Sequence, residues 1–106
     1  MSTMYLFVAE ILTKPGAEDR YETLLREVVH ALSLESCFVH FSIGRSLGDP
    51  RMFLLHEIWT SRAGYERLRD GPVFRNYLSA RTELVEMIRR RDWVLVEDIS
   101  APARDA

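Results

Sequence analysis

In the segment RMFLLHEIW a carboxylic acid, Glu57, and an indole, Trp59, stand two residues apart. Residues separated by two share a face of an extended strand, so both should point the same way as Phe53 and Leu55. A carboxyl group on an apolar, helix-covered face must be paired or neutral. If neutral, its raised pKa suits a general base near neutral pH; if paired, its partner is Arg67 or a backbone group. Trp59 is either a wall for a flat ring or a plug in the core. Tyr65 and Tyr77 offer hydroxyls that can orient a phenol or quinone oxygen, or they are core residues with wet tips. Arg67 can stabilise a developing oxyanion, or it joins Arg69 on a solvated face.

His40 and His56 form a second pair. If Phe41 and Ile43 share a face with Leu55 and Glu57, the hairpin pairs even positions with even positions, which brings the two imidazoles together on the opposite side. Two imidazoles are too few for a closed zinc site, and an interface pair sensitive to pH is the simpler expectation, so no metal is assigned. The single Cys37 rules out an intramolecular disulfide and suits a reducing compartment.

The elements that must position these groups are legible from period and punctuation. Tyr5–Leu12 (YLFVAEIL) reads as a central strand, closed by the turn signal Lys14-Pro15-Gly16. Tyr21, Leu24, Leu25, Val28 and Leu32 then recur at helical spacing, with Glu18 and Asp19 in the first turn. Phe38–Arg45 alternates, with Val39, Phe41 and Ile43 on one face, and pairs through Ser46–Pro50 with Arg51–Trp59 as a hairpin. Thr60 and Ser61 can cap a short helix that carries Tyr65 and Leu68. Asp70-Gly71-Pro72 ends it and opens a last helix whose stripe is Phe74, Tyr77, Leu78, Val85 and Ile88, with Arg89-Arg90-Arg91 as its solvated final turn. Trp93–Ile99 is the last expected strand, and residues 100–106 an expected disordered tail.

This order predicts an α+β fold of the ferredoxin-like βαββαβ type, one domain over residues 1–99, with a four-stranded antiparallel sheet and its helices on one face. The uncovered face would carry Leu6, Val8, Leu12, Met52, Leu54, Ile58, Val94 and Val96, too apolar for water, so a homodimer through the sheet face is expected. The chain has 106 residues, 47% of them hydrophobic and 28% charged, as in an ordinary globular domain. A net charge of −2 with interspersed signs argues against nucleic acid. No apolar run approaches the roughly 20 residues of a membrane span, and the N-terminus lacks the pattern of a signal peptide, so the cytoplasm is the expected location.

Five short features, in order, carry a resemblance: Lys14-Pro15-Gly16, a helix ending near Glu35, Arg45-Ser46-Leu47 with Asp49-Pro50, Glu57-Ile58-Trp59, and Pro72-Val73-Phe74. Together they resemble the antibiotic biosynthesis monooxygenase family of dimeric α+β barrels. The resemblance implies a cavity between sheet and helices that takes flat aromatic substrates, no cofactor, and oxidation of a polycyclic phenol or quinol by dioxygen. Within it Glu57 would be the base, Trp59 and Phe41 would stack the ring, Tyr65 or Arg67 would hold the oxygen, and Phe74 and Tyr77 would line the substrate site. The family's two common histidines fall on Arg67 and Val73 here. The asparagine and axial histidine of its haem-degrading branch fall on Ala9 and Leu78, so haem ligation is not expected. A binding module that has lost the chemistry, or a cofactor-free isomerase, remains the alternative.

Overall fold

In a computed structural model, which describes residues 3–102, the chain forms β1 (Tyr5–Thr13), α1 (Glu18–Leu32), β2 (Phe38–Arg45), β3 (Met52–Trp59), α2 (Arg62–Arg69), α3 (Pro72–Arg81) and β4 (Val85–Val94). The strands make one antiparallel sheet in the order β2-β3-β1-β4. Alternation in β1 sorts its side chains: Tyr5, Phe7, Ala9, Ile11 and Thr13 are buried towards the helices, while Leu6, Val8 and Leu12 are half-buried on the open face. In register across β3, Trp59, Glu57, Leu55 and Phe53 join the buried face.

Local chemistry fixes the connections. Gly16 has φ of 81°, the left-handed conformation that turns the chain from β1 into α1 without a steric penalty. The α1 stripe buries Tyr21, Leu25, Val28 and Leu32, as its spacing requires. The Ser61 side chain caps α2 by accepting from the Gly64 N–H at 3.0 Å. Gly64 itself lets α2 press on β2's approach, since a Cβ there would sit 3.1 Å from the Cβ of Cys37. Arg45 ties β2 to α1 through Asp19 and Glu22, both at 3.2 Å.

Three expectations change. The last helix stops at Arg81, and β4 begins at Val85 rather than Trp93, because β1 is nine residues long and needs a partner along its whole length. Val85 and Ile88 therefore belong to a strand, as do Arg89, Arg90 and Arg91, which are not a helix end. On the same register Trp93, not Val94, stands on the open face beside Leu6. In β2 an irregularity between Phe38 and His40 leaves Val39 exposed, and Phe38 instead packs edge-on against Trp59, centroids 5.4 Å apart. Of the expected tail, residues 103–106 lie outside the described residues. No described helix is long and apolar enough to cross a membrane.

Candidate active site

Between the sheet and the helices lies a cavity of about 190 Å³. Its floor is Phe7, Ala9, Ile11, Phe41, Leu55, Glu57, Ile88 and Arg90; its roof is Leu25 and Val28 from α1, Arg69 from α2, and Phe74, Tyr77 and Arg81 from α3. Glu57 is the one carboxyl group among these residues, and it is only 2% exposed. Its Oε1 accepts from the Trp59 indole N–H at 3.1 Å. Burial pushes the Glu57 carboxyl up to about 8, although the Trp59 bond and the charge of Arg90 both pull downward. At neutral pH this group is therefore mostly protonated, and a small rise in pH makes it a base.

Arg90 is held rather than free. Its Nη2 donates to the Tyr5 hydroxyl at 2.9 Å and its Nε to Asp92 at 3.2 Å, while the Tyr5 hydroxyl donates to the same Asp92 oxygen. The Tyr5 bond, with help from Arg90 and Arg62, keeps the Asp92 carboxyl below its usual range. So anchored, the Arg90 guanidinium lies 4.2 Å from the Phe7 ring centroid and 5.5 Å from that of Tyr65.

The structure brings Phe41, Glu57, Phe74 and Tyr77 together on the cavity. Tyr77 shares a buried 2.7 Å hydrogen bond with Tyr21, and burial pushes both phenols up. Trp59 and Tyr65 lie behind the wall: Trp59 is fully buried, and Tyr65, 1% exposed, packs against Tyr5, Phe7, Trp59 and Phe74 with centroids 5.3–5.9 Å apart. Trp59 is thus not among the lining residues, and it meets the cavity through its bond to Glu57. Arg67 is exposed on the outer side of α2, does not line the cavity and makes no contact with Glu57. Arg69 occupies that place instead. A helical residue meets those three and four positions away, and Arg69 is four from the buried Tyr65 whereas Arg67 is two.

None of the three histidines reaches the cavity. His30 is exposed on α1, and His40 and His56 meet on the open face with ring centroids 5.7 Å apart. His40 Nε2 lies 2.6 Å from the Ser42 hydroxyl. The expected adjacency of this pair is what the register produces, with His56 opposite Ser42. Val73 and Leu78 offer no nitrogen to a substrate or a haem iron, and the cavity's donor set does not fit haem ligation.

The antibiotic biosynthesis monooxygenase model matches residues 4–80, from β1 nearly to the end of α3. Solved structures share the fold. A Pseudomonas aeruginosa protein is 22% identical with a TM-score of 0.83, over 92% of this chain and 98% of that one. A Nitrosomonas europaea protein provisionally named an antibiotic biosynthesis monooxygenase is 15% identical with a TM-score of 0.83, over 91% and 93%. A Mycobacterium tuberculosis protein is 18% identical with a TM-score of 0.82, over 92% and 99%. At such identities the likeness speaks for the fold alone. No curated protein matches the chain. With the family model covering most of its length and the same architecture in these structures, this chain belongs to the antibiotic biosynthesis monooxygenase family.

Proposed function

We propose that the protein is a cofactor-independent monooxygenase that oxidises a small phenol or quinol-type molecule in the cavity beneath its helices. The observation that carries this reading is Glu57: a carboxyl group buried in an aromatic-lined cavity, with its pKa raised to about 8. Dioxygen is a triplet and reacts slowly with closed-shell molecules, so the protein's task is to make an electron-rich anion and keep it dry. Glu57 removes the phenolic proton, Phe41 and Phe74 enclose the ring, and Arg90 offsets the charge left on oxygen. For an anthrone-like substrate, whose enol tautomer carries the phenolic proton that Glu57 removes, the balance is complete without an added reductant. The ring CH2 becomes a carbonyl, one atom of dioxygen enters the product, and the other leaves as water.

The cavity sets the size of the substrate. A dry cavity of about 150 Å³ holds one benzene ring. A volume of about 190 Å³ therefore takes one or two rings, and a third must project through the mouth. This narrows the polycyclic expectation. The test is oxygen uptake by chelator-treated protein against one-, two- and three-ring phenols and quinols, with isotope-labelled dioxygen to follow the transferred atom. Protein-dependent uptake with label in the product supports the reading. Tight binding without uptake replaces it with a binding module, which the lack of a cavity histidine would then explain.

The open sheet face supports a homodimer as part of the same reading. Leu54, Trp93 and Met87 are 49%, 48% and 41% exposed there, beside Leu6 and Val8. A second copy stacked sheet on sheet covers them most simply.

A further inference from the structure

The cavity lining carries more positive charge than oxyanion stabilisation needs. Arg69, Arg81 and Arg90 all belong to it, against the single carboxyl of Glu57. The chain as a whole has a net charge of −2, so this concentration is local. Arg90 has an ion-pair partner in Asp92, and Arg45, Arg51 and Arg62 on the outer surface are each paired as well. Among the described residues, Arg69 and Arg81 have none; Arg20, Arg67, Arg75, Arg89 and Arg91 also have none, but they do not line this cavity. Arg69 and Arg81 both sit in the last turns of their helices, where a cation suits the dipole. That explains their type but not their direction, since Arg67 serves the same dipole from the outside of α2. Arg81 lies 5.5 Å over the Tyr77 ring, its charge and a hydrogen bond both act on the Tyr77 hydroxyl, and the charge of Arg69 acts on Tyr65. Two guanidinium groups without an ion-pair partner thus line an aromatic-lined cavity, Arg69 from α2 and Arg81 from α3. Arg81 and Arg90 also lie beyond the residues that the family model matches, 4–80.

We propose that the cavity's substrate is an aromatic carboxylate, a hydroxylated ring of one or two cycles whose carboxylate is clamped by Arg69 and Arg81 while the ring hydroxyl faces Glu57. Planar guanidinium forks match a carboxylate bidentately, which orients the ring as well as holding it. The clamp also divides the labour among the cations: Arg90, tied down by Tyr5 and Asp92, faces the reacting oxygen, and the two arginines without an ion-pair partner take the recognition group. The proposal rests on the cavity being the substrate site.

Anaerobic binding of 2-naphthol and of 6-hydroxy-2-naphthoate, whose carboxylate lies at the far end of the ring system from its hydroxyl, tests it apart from any turnover. The wild-type protein should bind the carboxylate at least about tenfold more tightly. Added salt should weaken the carboxylate and leave naphthol little changed. In an Arg69→Gln/Arg81→Gln variant the ratio of the two affinities should fall close to one. Equal affinities in the wild type, an affinity for the carboxylate that ignores salt, or binding of neither probe overturns the proposal. The salt series needs no variant, so a misfolded double substitution leaves the test intact. Charge preference without oxygen uptake would remove the monooxygenase reading alone, and uptake without charge preference would remove this one alone.

Discussion

Replacing Glu57 by Gln should change how stability depends on pH, and the size of the change follows from the burial of this one group. Its pKa rises from an ordinary 4.5 to about 8 on folding. Between those values the folded state binds a proton that the unfolded state does not, so stability falls as pH rises through the window and levels off above the folded value. At 1.36 kcal/mol per pH unit the whole swing is about 5 kcal/mol, of which about 2 to 3 kcal/mol falls between roughly pH 6 and 9. Glutamine has the same shape, accepts the same bond from the Trp59 indole, and does not titrate. Urea unfolding of both proteins at the two pH values measures the effect, because everything else that titrates cancels in the double difference. The wild type should lose about 2 to 3 kcal/mol more than E57Q across the window. Equal losses would mean that Glu57 is ionised in the fold near its ordinary pKa, and the argument from desolvation would fail.

The same titration should appear in catalysis with the opposite benefit: oxygen uptake should rise with pH along a limb centred near 8, and E57Q should lose about a hundredfold or more, the scale of a general base. Steady-state rates across the pH range check both. Trp59→Phe keeps most of the packing but removes the one hydrogen bond that stabilises the carboxylate, so the limb should move to higher pH; an unmoved limb would deny the indole its positioning role. Trp59→Ala, by contrast, should cost stability by about 3 to 5 kcal/mol in urea unfolding, since the side chain is fully buried. On the open face, Leu54→Asp places a charge where a second sheet would cover it, and light scattering should then find a monomer where the wild type is a dimer. A wild-type monomer, or an unaffected dimer, would contradict the sheet-to-sheet reading.

The inner strands and α1 were legible because one side of each is buried and the period is clean. Parity alone placed Glu57 beneath the helices and His40 next to His56. The last third was harder to read for a definite reason. Leu84, Val85 and Ile88 suit helical spacing, and β4 carries charge on both faces, with Arg90 and Asp92 inward and Arg89 and Arg91 outward. Its period of two is thereby hidden. Inward Arg90 is tolerated because its guanidinium lies on the Phe7 ring and bonds to Tyr5 and Asp92, contacts separated from it in sequence by up to 85 residues. No short window contains that information. The exchange of Arg67 for Arg69 is different, since counting four residues on from Tyr65 along α2 would have found the inward arginine. The bulge that swaps Phe38 for Val39 has no mark in the residues themselves.

The most direct measurement is the protonation of Glu57 itself. Infrared difference spectra of wild type against E57Q, taken across the pH range on unliganded protein, isolate the signal of this carboxyl group. The account predicts a protonated carboxyl at neutral pH that ionises with a midpoint near 8. A midpoint near 4.5, the value of an ordinary glutamate, would show that the cavity holds a charged carboxylate at all working pH values and would remove the base on which the proposed chemistry depends.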